Sequence, residues 1–545
     1  MTQLYYRANL SDAQYPLVST FQGKTVIQPQ LDQSYTPAPL TATEERDKGI
    51  PEAWYMHNVL PSLYGYKSIA YSKIISGVTG GTGFKRVFAI KDFAGNRGHI
   101  AITDSKTYLA TSADPSWSDV TPVGQPLNAD VTSADATGTS FICYAKFGIF
   151  TIDLVNKVLN SAAITWDSPL TNASIVGIGA SNNYLLAHDG ATLYWSSSLN
   201  VLDFVASQIT GAGKGTPTAA IGAIVAIAKV GIGYAIYCQG NIVVASFSGN
   251  VQYPWLFKEA PNGAGLPSVY HLSVTGDEGS NYAWTTAGLL KVTLSGCAAV
   301  HPEVSDFLAG RIFEDYDTNT DVLTMSYLNS QLLVRLAYVE SRYLCISYGQ
   351  SSLTHCMVYD TSLKRWGKLK IPHAQVFDIS FSIQASSTNT YAVYTDWGLS
   401  SYIGLGTHVY TDYQPSYLTS APEAKHSISF LQADGSVQLA SFDFGDATAD
   451  SVLIMGKYQV FRLNTVAVQG FTIETIDDVN TDFSVKVLTS QDGKNTDSVT
   501  IPYETIVPNM RDYDCLAVGQ NHSLLIKGAF HMVGLLLIFT KFGNR

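Results

Sequence analysis

One stretch, 344–369, LCISYGQSSLTHCMVYDTSLKRWGKL, constrains the fold more than any other. Its runs 344–348 and 355–359 are short and rich in β-branched and aromatic residues. The polar GQSSLT lies between them, and the turn-forming Asp360-Thr361-Ser362 follows. This pattern predicts an antiparallel hairpin and then a tight turn. Trp366 comes seven residues after Tyr359, across a turn that carries Lys364 and Arg365, so its ring can fold back over the hairpin while the two cations stay in water. A strand, a polar turn and an anchoring Trp make up the outer half of a β-propeller blade.

The same figure recurs with other residues. Residues 100–110 lead into Asp114-Pro115-Ser116-Trp117, and 147–154 pass through Asn156 and Lys157 to Trp166. Residues 184–195 hold a hairpin on His188-Asp189-Gly190, since an Asp-Gly pair between apolar runs is a strong short-range hairpin signal. Residues 242–247 turn at Ser248-Gly249-Asn250 and reach Trp255, while 391–397 close on Gly398. With the first stretch these make six units between about residue 90 and residue 405, spaced loosely as blades of ~40–50 residues with insertions. The competing reading is an array of β-sandwiches with scattered Trp, because strands and turns alternate in both.

At 545 residues the chain is too long for one compact core, and two or three domains are expected. Charged residues make up 14%, against ~25% in ordinary proteins, while 44 Gly, 32 Tyr and 12% aromatics favour β-structure with many turns. Residues 1–50 carry little periodicity and many Gln, Pro and Thr, which suits an extended N-terminal arm; Thr41 and Glu44 have capping-box spacing for one helical turn. The sequence WYMHNVLPSLYGYKSI over 54–69 reads as the lead-in to the propeller. The segment 412–424, DYQPSYLTSAPEA, makes the best boundary. The expected fold is therefore all-β, with an arm over 1–50, a propeller of about six blades over 51–418 and a smaller β-sandwich over 419–545. Within the last, 471–476 and 483–488 are expected to pair across 477–482, and 534–539, GLLLIF, to close the core.

The apolar run 219–237 approaches the length of a spanning helix, but Lys229 sits at its centre and Gly222, Gly231 and Gly233 interrupt it. Two buried strands joined by a glycine turn are expected. The cysteines Cys143, Cys238, Cys297, Cys345, Cys356 and Cys515 form no CxxC pair and are expected as buried thiols, with Cys345 and Cys356 on facing strands. The first residues show no basic region followed by an apolar core, so no signal peptide is expected and synthesis in a reducing cytoplasm is.

Motifs for chemistry are scarce. GxSxG, HExxH and CxxC are absent from the sequence. Gly211-Ala212-Gly213-Lys214-Gly215-Thr216 resembles a phosphate loop, but Gly215 stands where the metal-holding Ser or Thr belongs. DYDTNTD at 315–321 alternates acids as a calcium loop begins, yet Thr320 replaces the required Gly and Ser326 the bidentate Glu, which favours a solvated turn. Asp104, Asp189, Asp360 and Asp396 are the carboxylates a propeller glycosidase would draw on. All four sit in turns, where Asp ordinarily caps the backbone. His188, His355, His373 and His531 are isolated in sequence. No catalytic, cofactor-binding or metal residue is nominated.

The order of features resembles the tail nozzle, or packaged-DNA stabilisation, proteins of short-tailed bacteriophages. HNVLPSLYGYKSI at 57–69, MVYDTSLKRWGKL at 357–369 and GLLLIFTKFGNR at 534–545 carry the likeness, together with the low-charge, Tyr- and Gly-rich composition. The resemblance implies a virion protein and not an enzyme. It implies a homo-oligomeric ring, a hexamer, below the portal and adaptor proteins, which continues the DNA channel, retains the genome and meets fibres or spikes. A formal net charge of -11 offers no large basic footprint for gripping nucleic acid and suits a wall that DNA passes without being held. The alternative is a carbohydrate-active propeller, a glycosidase or lectin-like receptor binder, with Tyr-rich loops such as 402–417 as platforms.

Overall fold

The computed structural model describes residues 3–9, 53–75, 85–377 and 428–541, with breaks inside the last three spans. Five four-stranded antiparallel sheets follow one another along the chain: blade I over 86–119, II over 131–161, III over 177–215, IV over 224–259 and V over 272–299. Blade VI spans 333–373. Blade VII is assembled from distant pieces, because Gln375–Phe377, Ile428–Leu431 and Val437–Ser441 are completed by Ala70–Ile75.

Apolar interfaces show how the sheets are arranged. Ile100 and Leu109 of blade I pack with Ile142 and Tyr144 of blade II. Phe141 and Cys143 on the other face of blade II pack with Ile178 and Leu185 of blade III. Tyr184 and Leu186 meet Ile236 and Trp255 between III and IV, and Tyr237 and Val244 meet Leu290 and Val292 between IV and V. Tyr282 and Leu289 meet Leu344 and Tyr348 between V and VI, then Cys345 and Val358 meet Phe430 and Ala440 between VI and VII. Phe377 and Leu431 of blade VII close the circle against Val87 and Tyr108 of blade I. Among the described residues seven blades thus close into a propeller, where about six were expected.

This arrangement accounts for the sequence pattern. Ser140–Tyr144, Tyr184–His188, Gly233–Cys238 and Tyr343–Gly349 are buried at every position, since each lies inside a blade with neighbours on both faces. Continuous apolar runs replace the alternation of a half-exposed strand.

A sandwich adjoins blade VI. One of its sheets orders Ala53–His57, Val452–Met455, Asn521–Ala529, Asp482–Ser490 and Glu504–Thr505. The other, Asp512–Gly519, Val466–Thr475 and His531–Lys541, runs through the hairpin Val59–Ser62 and Gly65–Ser68 into blade VI, making one continuous sheet. Gln3–Asn9 adds to the free side of His531–Lys541. A hairpin of Ile312–Asp317 and Val322–Tyr327 follows the short helix Pro302–Ala309.

The expected units at 100–120, 147–166, 184–195, 242–255 and 344–369 fall in blades I, II, III, IV and VI. The unit at 391–398 lies outside the described residues. Blade V went unanticipated because its Trp284 sits within strand Asn281–Thr285 and not beyond a turn. The run 219–237 forms Ile224–Val230 and Gly233–Cys238 about Gly231, whose φ of 57° suits glycine. Trp366 is buried against Tyr359, as expected, but Arg365 is half-buried and donates to the carbonyls of Ser62 and Gly65.

The expected pairing of 471–476 with 483–488 is corrected. Val466–Thr475 and Asp482–Ser490 lie in opposite sheets, because Phe471, Ile473, Phe483, Val485 and Val487 must all enter one core. The expected division at 418/419 lies outside the described residues. The sheets interleave across it, with Ile428–Leu431 and Val437–Ser441 in blade VII and Ala53–His57 in the sandwich. Of the expected arm over 1–50, Gln3–Asn9 is a paired strand and the remainder lies outside the described residues. Cys143, Cys238, Cys297, Cys345 and Cys356 are buried thiols. Among the described residues no helix is long and apolar enough to cross a membrane.

Candidate functional site

The innermost strands surround the propeller axis, and polar side chains join them where apolar packing ends. Arg86 donates from Nη1 to the carbonyls of Val131 and Thr132, each at 3.1 Å, tying blade I to II. Ser133 Oγ and Asp135 Oδ2 accept the N–H groups of Ile178 and Ala180 at 2.7 and 2.8 Å, tying II to III. Asn281 donates to the Lys229 carbonyl at 3.2 Å between V and IV. Arg335 donates to the carbonyls of Lys85 and Ala374, and the Gln375 amide exchanges both hydrogen bonds with Val87, at 2.7 and 3.2 Å. These side chains satisfy backbone groups that no ladder reaches. Burial pushes the Asp135 carboxyl up to about 6.

A second constellation lies where blade VI, the 312–327 hairpin and the sandwich meet. Trp366, Lys368 and Lys370 alternate on one face of Arg365–His373, so the anchoring Trp carries the lysines inward. Lys368, 1% exposed, lies 3.5 Å from the equally buried Glu314 and 4.6 Å from the ring centre of Tyr55. Burial lowers the affinity of its ammonium for the proton. Asp315 takes the Lys370 ammonium at 2.5 Å and His355 Nε2 at 3.5 Å. The His355 ring and then Lys370 hold the Asp315 carboxyl well below the usual range. Burial, followed by Lys368, lowers His57 to about 3, and burial lowers His355 to about 4.

Asn58 links the same elements. Its φ of 54° is left-handed, which Asn tolerates better than most residues. Oδ1 accepts from Lys370 N at 2.8 Å and Tyr71 Oη at 2.7 Å, and Nδ2 donates to the Asp450 carbonyl at 3.1 Å. One side chain thereby joins blade VI, the closing strand of blade VII and the sandwich.

The carboxylates weighed from sequence are separately engaged. Asp104 pairs with Lys85. Asp189 caps Ala191 N and Thr192 N at 2.8 and 2.7 Å and accepts from Tyr194 Oη at 2.8 Å. Asp360 receives Arg342 Nε at 2.8 Å and caps Ser362 N and Leu363 N. Asp396 lies outside the described residues. His188 is buried, has no hydrogen-bond partner among the described residues, and is lowered by burial to about 4. His373 donates from Nδ1 to the Ile371 carbonyl at 2.7 Å and bonds Ser347 Oγ through Nε2, while His531 Nε2 meets Ser62 Oγ at 2.9 Å. His355 alone joins the buried charge network.

Gly213–Gly215, from the apparent phosphate loop, is a strand lying under the Trp195 ring, with Lys214 paired to Asp167 at 3.2 Å. Asp317 caps its turn through Asn319 N at 2.9 Å. Among the described residues no three His, Cys, Asp or Glu converge to hold a metal ion. The charge network is the feature sequence reading missed. Its signal was the alternation Trp366, Lys368, Lys370, which places two cations on the face of a core aromatic.

No protein-family model and no curated protein matches the chain. Among solved structures, PorZ, a surface component of the type-IX secretion system of Porphyromonas gingivalis, matches at 12% identity and a TM-score of 0.31. That match covers 56% of this chain and 35% of PorZ, so the chain spans about a third of its length. YCF48 bound to D1 peptide matches at 11% identity and a TM-score of 0.37, over 69% of this chain and 97% of that one. The extracellular domain of the putative one-component system BT4673 from B. thetaiotaomicron matches at 9% and 0.39, over 90% and 63%. At these similarities the assignment of fold rests on the ring of blades itself.

Proposed function

We propose that the chain is a structural virion protein, the nozzle of a short-tailed phage tail, assembling as a ring below portal and adaptor proteins. One observation supports this reading above others. The three motifs that carry the resemblance all contribute strands to the same continuous sheet: 357–360 and 365–369 in blade VI, 59–62 and 65–68 in the bridging hairpin, and 534–541 in the last sandwich strand. They form the joint between propeller and sandwich, reinforced by Asn58 and the Lys368–Glu314 pair. A joint built from backbone ladder and buried charge makes a stiff wedge, suited to side-by-side packing in a ring that resists the pressure of a packaged genome. The role is non-enzymatic, and DNA passes the ring without sequence-specific contact.

The test is light scattering and negative-stain imaging of the full chain, alone and mixed with the portal and adaptor proteins of its own genome. Rings, formed alone or on the adaptor complex, are expected. A chain that stays monomeric and ignores those partners overturns the proposal.

A further inference from the structure

The last strand, His531–Lys541, is flanked unequally. On one side it pairs along its length with Val466–Thr475. On the other, the bridging hairpin reaches only His531 and Met532, through Lys67 and Tyr66. The remaining edge, 534–540, is covered by Gln3–Asn9, in register from Gln3 opposite Thr540 to Asn9 opposite Gly534. Uncovered, GLLLIFT would be an apolar strand edge of the kind that recruits other chains. A covering strand is required there, and the sequence allows it to come from elsewhere.

Gln3–Asn9 pairs with no other strand among the described residues. Residues 10–52 separate it from Ala53–His57, a length that spans up to ~140 Å when extended at ~3.3 Å per residue. The ladder it makes is the same on its own sheet or on that of another copy. What differs is effective concentration, which close packing of copies raises. A further feature of the same sheet favours a neighbour. Its outermost strand, Asp512–Gly519, turns Ala517 into the core and leaves Leu516 and Val518 62% and 37% exposed on the opposite face.

We infer that Gln3–Asn9 is an exchangeable strand, which in an assembly of this chain pairs with 534–540 of a neighbouring copy and laces the copies together. This rests on self-association, which the nozzle reading shares, but it does not require a tail.

The test uses the full chain with paired cysteines in register: Ala8→Cys with Leu535→Cys, and separately Arg7→Cys with Leu536→Cys. The adjacent pairs cover both kinds of antiparallel pairing, so that one is well placed for a disulfide. Each pair is made within one chain and also split between two chains that are mixed, then oxidised and run without reductant, with light scattering in parallel. Expected are covalent dimers from the split pairs and a ladder of multimers from the joined pairs. Assemblies in which only single-chain links form overturn strand exchange and leave the ring reading standing. A chain that never associates and links only to itself overturns both.

Discussion

Blades I to V and the region formed by blades VI, VII and the sandwich are built on different principles. Each of the first five is one uninterrupted piece of chain, and among the described residues the cores of blades I to IV are shared with the blades on either side. The second region is woven: among the described residues four separated stretches enter its sheets, and one apolar cluster runs from Tyr282 of blade V through Trp366 to Phe530 of the sandwich. Contiguous blades are held by apolar packing with neutral or singly charged links at the axis. The woven region adds a fully buried ion pair, Lys368 with Glu314, and the partly exposed Lys370–Asp315 pair beside it. Where distant segments must meet in one geometry, paired buried charge gives what a slippery apolar contact does not, a penalty for every wrong arrangement.

The largest expected effect tests that difference. Lys368→Met leaves Glu314 buried without its cation and is expected to cost ~3–5 kcal/mol, read as a shift in the urea transition. Adding Glu314→Leu should restore most of the loss. If the single variant unfolds with the wild type, the buried pair does not hold the joint.

Acid should separate the two regions next. His57 and His355, lowered to about 3 and 4, bind fewer protons folded than unfolded below pH ~6.5. Their stability is whole above that pH and is lost as pH falls through the folded values, by about 2–3 kcal/mol for His57 near pH 4.5. Asp315, also lowered, acts in the same direction. In blades II and III the signs oppose. His188 at about 4 loses stability on acidification, while Asp135 at about 6 binds more protons folded than unfolded and gains it. Hydrogen exchange near pH 4.5 should therefore open 53–57 and 312–317 before 131–136 and 177–188. The reverse order would break the comparison.

The smallest effect belongs to a contiguous blade. A Cβ at Gly177 would come within 2.4 Å of His188 Nε2, so Gly177→Ala should cost ~1–3 kcal/mol by forcing the imidazole aside. Pairing it with His188→Ala should remove the clash, and a double variant no better than the single would show that the strain lies elsewhere.

This contrast also explains what could be read from the sequence. Turn chemistry is local, so His188-Asp189-Gly190 and Asp360-Thr361-Ser362 announced their hairpins, and blades I to IV and VI followed from strand, turn and Trp. Blade VII could not be read, because its closing strand Ala70–Ile75 has partners at 437–441 and no nearby sequence points to them. The sandwich strands 466–475 and 482–490 looked like a hairpin because apolar alternation identifies a buried face without identifying the sheet it belongs to. The buried charges were visible as residues but not as a cluster, since Glu314, Lys368 and Tyr55 meet only once the hairpin, blade VI and the sandwich are docked.

The closing strand of blade VII also sets a schedule. Ala70–Ile75 leaves the ribosome before any complete blade, and its partner Val437–Ser441 emerges only after blades I to VI have been made. At ~5–20 residues per second that interval is about 20–70 s. During it the nascent chain carries a finished arc of blades with an unclosed gap and a waiting apolar strand, so codons slowing translation across blades II to V would lengthen exposure of that strand, whereas slowing beyond residue 441 would come after the circle has shut.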